Sequence, residues 1–365
     1  MAEPAIQLTW QPSTASNRSY REGTHARLPL VRTTLYRPHQ TWTYNNHPFI
    51  TEWEGTFVAM WSNGQRDEDE VGQRVLVATS GNGTEWTEPR VLAEPFGKRV
   101  LTAGGFFVSP HGLVALYSDY NEDVADTKLY AKVTKDGLHW SRPLPLGPKL
   151  CSNQNALRLA SGRLILAGNF AMPFTDDPTG LAGWRWSSIA PSFAEEDNPW
   201  TFWQVRRQSQ SAADLCEASV VELADGQLVS YFRATGQDYN GFLWQSVSTD
   251  RGTSWSRPHA SDFTDNDAKF QFGRLDESRW FYCGCPDLNV GKRNPLVFST
   301  SRDGFRFDRH WVVSDEPHRI NWPGKHKSGD YSYPNVLIRD GRAYVIVARQ
   351  KEDIEVLSFA LSDLR

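Results

Sequence analysis

The chain has 365 residues, a formal net charge of −4, 13 % aromatic residues and 15 Trp. A charge so near neutral argues against a polyanion-binding surface, and no apolar run is long enough to span a membrane, so neither nucleic acid nor a bilayer is the expected partner. Part of the aromatic excess suits a protein that stacks on sugar rings; the rest is core.

In chain order, residues 6–10 and 30–36 are strand candidates separated by a polar loop. Strands over 47–53, 56–61, 74–79 and 86–92 then form one group of four. A second covers 104–109, 113–118, 128–134 and 139–144. The third, 156–160, 163–168, 184–189 and 200–205, holds a long insert at 172–183. The fourth covers 218–223, 228–232, 242–248 and 254–258, and the fifth 269–275, 280–284, 296–300 and 307–313. The last, 335–339, 343–348 and 354–361, has only three strands. Turns of the Gly type recur between first and second strands, at Glu54-Gly55, His111-Gly112, Ser161-Gly162, Asp225-Gly226 and Asp340-Gly341.

One stretch ties these groups together. Ser248-Thr249-Asp250-Arg251-Gly252-Thr253-Ser254-Trp255 pairs a Ser and an Asp around a tight turn, with a Gly for positive φ and a Trp opening the next strand. Copies begin at Ser80, Thr134 and Ser301, the last with Phe307 in place of Trp. Successive starts lie 54, 114 and 53 residues apart, and 114 is about two periods. Such a repeat marks radially arranged four-stranded blades. The third group shows no such copy. The expectation is an all-β fold: one β-propeller over residues 1–365, six antiparallel blades by count, with room for an irregular seventh before Tyr44. A strand such as 6–10 would complete the last blade and close the ring without an open edge.

These four copies resemble the Asp-box, or BNR, repeats of the sialidase-like β-propellers. The resemblance implies a carbohydrate-active enzyme for an acidic sugar, and by it several residues acquire roles. Glu217, in Glu-Ala-Ser-Val-Val-Glu-Leu, and Arg233, in Tyr-Phe-Arg-Ala-Thr-Gly, match the segment carrying the family's Glu and second Arg. Arg293 precedes the last Asp box as the third Arg does. Tyr333, in Asp-Tyr-Ser-Tyr-Pro-Asn, stands where the nucleophilic Tyr would. The first Arg is missing. The first blade opens Tyr44-Asn45-Asn46-His47-Pro48, and Arg37 is only a displaced substitute. That opening, with the Trp-Ser-Asn-Gly run at 61–64, resembles the branch of propellers that releases L-rhamnose from rhamnosyl-α-1,4-glucuronate caps of arabinogalactan by β-elimination with a single His.

Elimination beside a uronate needs cations on the carboxylate, a base for the C5 proton and an acid for the leaving oxygen. An imidazole can serve both proton transfers, and guanidinium forks suit the carboxylate. His47 and Tyr333 are therefore the catalytic candidates. Asn46, Gln154, Asn155, Glu217, Arg233, Arg293 and His326 are the sugar-binding ones. Each has a plainer reading: a strand-start His, an internal ion pair of Arg233 with Glu217, a surface charge at Arg293, turn or cap residues at the amides, an exposed basic loop at His326. Two functions stay open, a rhamnosyl-glucuronate lyase and an exo-α-sialidase, beside a non-catalytic glycan-binding propeller.

No cofactor or metal is called for. The acidic run 67–70 could hold a cation but reads better as a solvated loop. Cys151, Cys216, Cys283 and Cys285 read as free thiols. The N-terminus has no apolar signal core, yet Met1-Ala2-Glu3-Pro4 is compatible with a start codon on a mature chain, so export and cytoplasmic location both stay open.

Overall fold

Each Asp-box turn closes for the same local reason. The Ser248 hydroxyl accepts the backbone N–H of Gly252 at 2.8 Å, and the Asp250 carboxylate accepts that of Ser254 at 2.8 Å. Ser80, Thr134 and Ser301 do the same for Gly83, Gly137 and Gly304, while Asn82, Asp136 and Asp303 cap Glu85, His139 and Arg306. The four glycines lie at φ of 76°, 71°, 82° and 79°, a region that a Cβ disfavours.

The computed structural model describes residues 25–121, 126–169, 172–187, 214–235, 241–256, 258–286, 291 and 293–365. After β1 (Val31–Tyr36) come β2 to β5 (Tyr44–Trp53, Thr56–Gly64, Arg74–Ser80, Arg90–Ala93) and β6 to β9 (Val100–Ser109, Gly112–Tyr120, Lys128–Thr134, Leu144–Pro145). Next are β10 to β12 (Leu157–Arg158, Leu164–Ile165, Phe174–Thr175) and β13 to β16 (Asp214–Glu222, Leu228–Thr235, Phe242–Ser248, His259–Thr264). Last are β17 to β20 (Gln271–Arg274, Trp280–Gly284, Leu296–Ser301, Phe307–Ser314) and β21 to β23 (Ser332–Arg339, Arg342–Arg349, Asp353–Ala360). They form six antiparallel sheets, five in simple chain order and the last in the order β1-β23-β22-β21. This is a six-bladed all-β propeller among the described residues. The one helical element there is a 3₁₀ turn, Leu361–Asp363.

Six apolar clusters each draw on two neighbouring blades. Phe49, Met60 and Val77 pack with Leu101, Phe106 and Ala115; Ile50, Trp61 and Leu76 pack with Ile346, Ala348 and Val356. The core is therefore a ring between blades. A belt of side chains near the axis locks the inner strands. Asn335 Oδ1 accepts Ile50 N–H at 3.0 Å, Asn155 Oδ1 that of Phe106 at 2.9 Å, Gln154 Oε1 that of Val220 at 3.0 Å, and Gln271 Oε1 that of Val336 at 2.6 Å.

Two expectations are corrected. The ring is closed by β1, which pairs with β23 from Val31↔Ser358 to Tyr36↔Ile354; residues 6–10 lie outside the described ones. The third blade also differs. Its third strand is Phe174–Thr175, inside the stretch read as an insert, and it leads into a turn built like an Asp box. Thr175 Oγ1 accepts Asp177 N–H, Asp177 accepts Thr179 N–H, Gly180 sits at φ 68°, and Trp184 Nε1 donates to the Gly180 carbonyl as Trp86 does to Gly83. Thr175 and Gly180 stand five positions apart, against three or four in the other boxes, which hides this copy in the sequence. The later strand candidate at 200–205 lies outside the described residues, as does part of that at 184–189.

Candidate active site

Three inner strands break register at the same level. β2 slips between Asn46 and Phe49, β13 between Cys216 and Ser219, β21 between Ser332 and Asn335. The first extra residue in each bulge is His47, Glu217 or Tyr333, at φ of 51°, 48° and 57°. Left-handed backbone costs a residue with a Cβ about 1–2 kcal/mol, and such strain gathers at functional sites. A bulge re-aims the side chain, here toward the axis. β6 slips between Ala103 and Phe106 too, but with Gly104 and Gly105, which leave that position open. These bulges lie toward the N-terminal ends of the inner strands, opposite the Asp boxes, which follow the third strands.

The three side chains meet across the axis. The Tyr333 hydroxyl donates to Glu217 Oε1, and the other Glu217 oxygen accepts Arg233. Arg233 Nε donates to Asp267 at 2.6 Å. The backbone N–H of Glu217 is held by Asn169 Oδ1 at 3.0 Å. Burial works to raise the Glu217 carboxyl, but Arg233 and the Tyr333 hydroxyl outweigh it and hold the acid below its ordinary value. Burial and the neighbouring Glu217 push the Tyr333 phenol well above its ordinary value, so at neutral pH the proton stays on the phenol oxygen.

The His47 ring packs edge-on against Tyr333 at 4.6 Å between centroids. Its Nδ1 lies 3.1 Å from Ser62 Oγ. That oxygen also accepts Ala103 N–H at 3.0 Å. The ionised Glu68 carboxylate, 3.4 Å from Nε2, can only accept, so in the neutral ring Nε2 is the donor and Nδ1 accepts from Ser62. Burial lowers the imidazole to about 4, so it is neutral. Tyr44 (2.8 Å), Asn46 (3.0 Å) and Lys351 (2.5 Å) all donate to the Glu68 carboxylate. Burial would raise this acid, but Lys351 and His47 more than offset it, and it stays ionised.

Arg293 enters from the loop after blade five's second strand. It donates to Ser332 Oγ at 3.1 Å and to the Asp267 carbonyl at 3.4 Å, and its Nε is buried without a partner. Among the described residues no carboxylate faces this guanidinium. Beside Arg233, Asp265 accepts the backbone N–H of Ala234 at 3.1 Å and that of Asp267 at 3.0 Å. Burial raises this carboxyl to about 7.

Of the residues expected from sequence, the fold gathers Asn46, His47, Glu217, Arg233, Arg293 and Tyr333. Gln154 and Asn155 are elsewhere: their amides bridge backbones of neighbouring blades, Asn155 Nδ2 also reaching the Ile50 carbonyl at 2.9 Å. In this structure both amides hold backbone between blades. His326 is exposed, in a loop tied by its backbone N–H to Asp67 at 3.0 Å. Arg37 lies outside the cluster, 3.4 Å from Asp353.

The solvated-loop reading of the run 67–70 fits Asp69 and Glu70, which are exposed, but not Asp67 and Glu68, which turn inward. Asp67 binds the 325–326 backbone, Glu68 enters the site, and Asp69 accepts from Tyr120 at 2.6 Å. Glu68, Lys269 and Lys351 are site residues that the sequence did not single out. Among the described residues no group of three or more His, Cys, Asp or Glu is arranged to hold a metal ion.

A family model described as BNR repeat-like domain matches residues 55–346. The chain belongs to the BNR repeat-like family. No curated protein matches it. Among solved structures, a Dyadobacter fermentans protein of unknown function is 14 % identical at a TM-score of 0.65, covering 91 % of this chain and 99 % of that one. Trypanosoma rangeli sialidase in complex with sialic acid is 14 % identical at 0.65, covering 93 % of this chain and 60 % of its own. A protein titled Sialidase is 19 % identical at 0.59, covering 93 % and 34 %. This BNR repeat-like chain thus spans less than two thirds of either sialidase. At these identities the likeness is one of fold, and the fold is the sialidase-like β-propeller.

Proposed function

We propose that this BNR repeat-like protein is an exo-acting glycoside hydrolase for a terminal acidic sugar, with Tyr333 as nucleophile and Glu217 as its base. The observation that carries the reading is the hydrogen bond from the Tyr333 hydroxyl to a Glu217 carboxylate fixed by Arg233. As the phenol oxygen attacks the anomeric carbon, its proton passes to Glu217 Oε1 and the bond to the leaving oxygen breaks. The leaving oxygen is protonated by water, because the neutral His47 imidazole and the ionised Glu68 carboxylate have no proton to release. The hydroxide so formed hydrolyses the glycosyl-tyrosine, and Glu217 returns its proton to the phenolate. An acidic sugar is favoured by Arg293, a buried guanidinium whose partners are neutral and whose Nε–H is unpartnered, to which a carboxylate is the natural complement.

The second reading is β-elimination of L-rhamnose from rhamnosyl-α-1,4-glucuronate with His47 as base. It is favoured by the neutral, axis-facing imidazole, whose burial keeps it in the base form at neutral pH. Against it, Nδ1 faces Ser62 and Nε2 faces Glu68, so one contact must open before either nitrogen meets a C5 proton.

The test uses two probes, an aryl α-N-acetylneuraminide and a rhamnosyl-α-1,4-glucuronide, with product identified by release of the aryl group or by the ultraviolet band of an unsaturated uronate. The hydrolase reading expects aryl release that falls by a factor on the order of 10⁴ in Tyr333→Phe. An unsaturated uronate, lost in His47→Ala but kept in Tyr333→Phe, would establish elimination instead. Binding of either sugar without turnover would leave a glycan-binding propeller.

A further inference from the structure

Lys269 is a buried cation that the steps above leave unused. It stands just before β17 and is 3 % exposed. Its Nζ lies 5.5 Å from the centre of the Tyr333 ring and 5.5 Å from that of Phe49. Among the described residues nothing accepts a hydrogen bond from it, whereas the other buried lysines of this face are well held: Lys327 donates to the Thr43 and Trp322 carbonyls and Lys351 to Glu68. Its ammonium is turned to the two rings rather than to a carbonyl or carboxylate that would tie neighbouring blades together.

Its electrostatic neighbours are the reacting groups. Glu217 acts on Lys269, and Lys269 acts in turn on Glu217 and His47. The face of an aromatic ring is negative and attracts a cation. A phenolate ring, carrying a full negative charge, attracts it more strongly than a phenol does.

We propose that Lys269 is a positioning residue of this site: its ammonium, set against the face of the Tyr333 ring, favours the ionised form of that phenol as the proton passes to Glu217. This rests on the reading of Tyr333 as nucleophile. The groups facing Lys269 are Glu217 from β13, Tyr333 from β21, His47 from β2 and the Cys283 thiol from β18. Burial keeps Cys283 and Tyr333 protonated well above neutral and His47 neutral, while Glu217 stays ionised. Burial brings Lys269 to about 8, against the pull of Glu217, so its charge is present at neutral pH and lost just above.

The test has two arms on the full chain. In the first, 3,5-difluorotyrosine replaces Tyr333 and its ionisation is followed by ¹⁹F resonance. Lys269→Met is expected to move that ionisation to higher pH while the thermal midpoint stays level or rises. An unmoved ionisation, or a lowered midpoint as the sole effect, overturns the proposal and makes Lys269 structural. In the second, the pH profile of aryl α-N-acetylneuraminide turnover should show a basic limb near that of Lys269. Lys269→Met should lower kcat roughly 3- to 30-fold at unchanged KM and abolish the limb, and Lys269→Arg should restore kcat and carry it to higher pH. A limb that persists in Lys269→Met overturns the proposal. Absence of turnover in the unaltered protein defeats the hydrolase reading instead, and the fluorotyrosine ionisation then decides on Lys269 alone.

Discussion

Arg233 and Arg293 stand a few residues' reach apart and do different work. Arg233 is matched by two carboxylates, Glu217 and Asp267, whereas Arg293 has a hydroxyl and a carbonyl. Arg233→Met would strand two buried anions, a change that commonly destabilises by about 3–5 kcal/mol. Arg293→Met removes a charge that nothing in the fold neutralises, so stability should move by less than about 1 kcal/mol while affinity for an acidic sugar falls. Arg293→Lys should keep part of the attraction and lose the planar fork, narrowing the preference for a free carboxylate over its methyl ester. Urea midpoints and calorimetric titration with N-acetylneuraminate and its ester would show both. Equal destabilisation by the two Met variants would contradict the difference in partners.

His47 carries a stability signature as well. Its folded value of about 4 lies below the ordinary 6.5, so the unfolded chain binds the proton first. Stability is therefore full above about 6.5 and drains away as pH falls toward 4, at up to roughly 1.4 kcal/mol per pH unit. His310, also lowered to about 4 by burial and His25, adds to the same limb. His47→Gln should flatten part of that loss and His310→Gln another part; an unchanged acid limb in His47→Gln would mean that the imidazole is solvated. Individual residues were unevenly legible. His47, Glu217 and Tyr333 each had a neighbour or motif that marked them. Glu68 did not, because nothing in four consecutive acids tells which carboxylate turns inward, and Lys269 is one lysine in a strand-like run. Gln154 and Asn155 were visible as polar residues near an inner strand, but whether an amide meets sugar or a neighbour's backbone depends on how adjacent blades approach.

The Asp boxes are the elements that made the architecture readable. Their hydroxyl, carboxylate and Gly act within one turn, so a local pattern sufficed. Where the turn lengthens to five positions between hydroxyl and Gly, as before Gly180, the pattern failed, although the hydroxyl and the carboxylate still cap backbone N–H groups and the Trp still reaches the Gly carbonyl. Each box also docks on the preceding blade. An added Cβ at Gly252 would come to 2.7 Å from Ile165, at Gly83 to 2.9 Å from Tyr344, and at Gly304 would overlap Leu223. By contrast Gly226, in a first hairpin at φ 82°, has nothing within 4 Å of its Cβ position. Gly226→Ala should cost only the left-handed backbone, about 1–2 kcal/mol. Gly304→Ala adds a clash in a packed interface and should cost roughly 1–3 kcal/mol more. Urea midpoints at constant m-value order the two; parity would mean that the box is a free turn rather than a docking point.

At the scale of the whole molecule the question is what keeps a ring of six sheets shut. Neighbouring blades share apolar clusters all the way round, so no blade has a private core, and the belt of Asn335, Asn155, Gln154 and Gln271 pins inner strand to inner strand. The last blade, however, takes its outer strand from the other end of the chain. β1 pairs with β23 over its length and brings Leu35 into the cluster with Ile50, Trp61 and Val356, while Leu28 joins that of Phe298 and Phe359. Burying those two leucines alone is worth roughly 3–6 kcal/mol, against a total stability that for most proteins is about 5–15 kcal/mol. Without β1, Asp353–Ala360 would become an open edge with unpaired N–H and C=O groups, a template for association. A chain beginning at Arg37 is therefore expected to be largely unfolded or aggregated, and Leu35→Ala to cost about 2–5 kcal/mol while staying monomeric. The cost should reach the site too, because Tyr333 rides on β21 and Lys351 on the turn before β23, both in the blade that β1 completes. Size-exclusion chromatography and near-ultraviolet circular dichroism of the two variants check this, and a monomeric, native-like protein starting at Arg37 would show that the ring closes without its clasp.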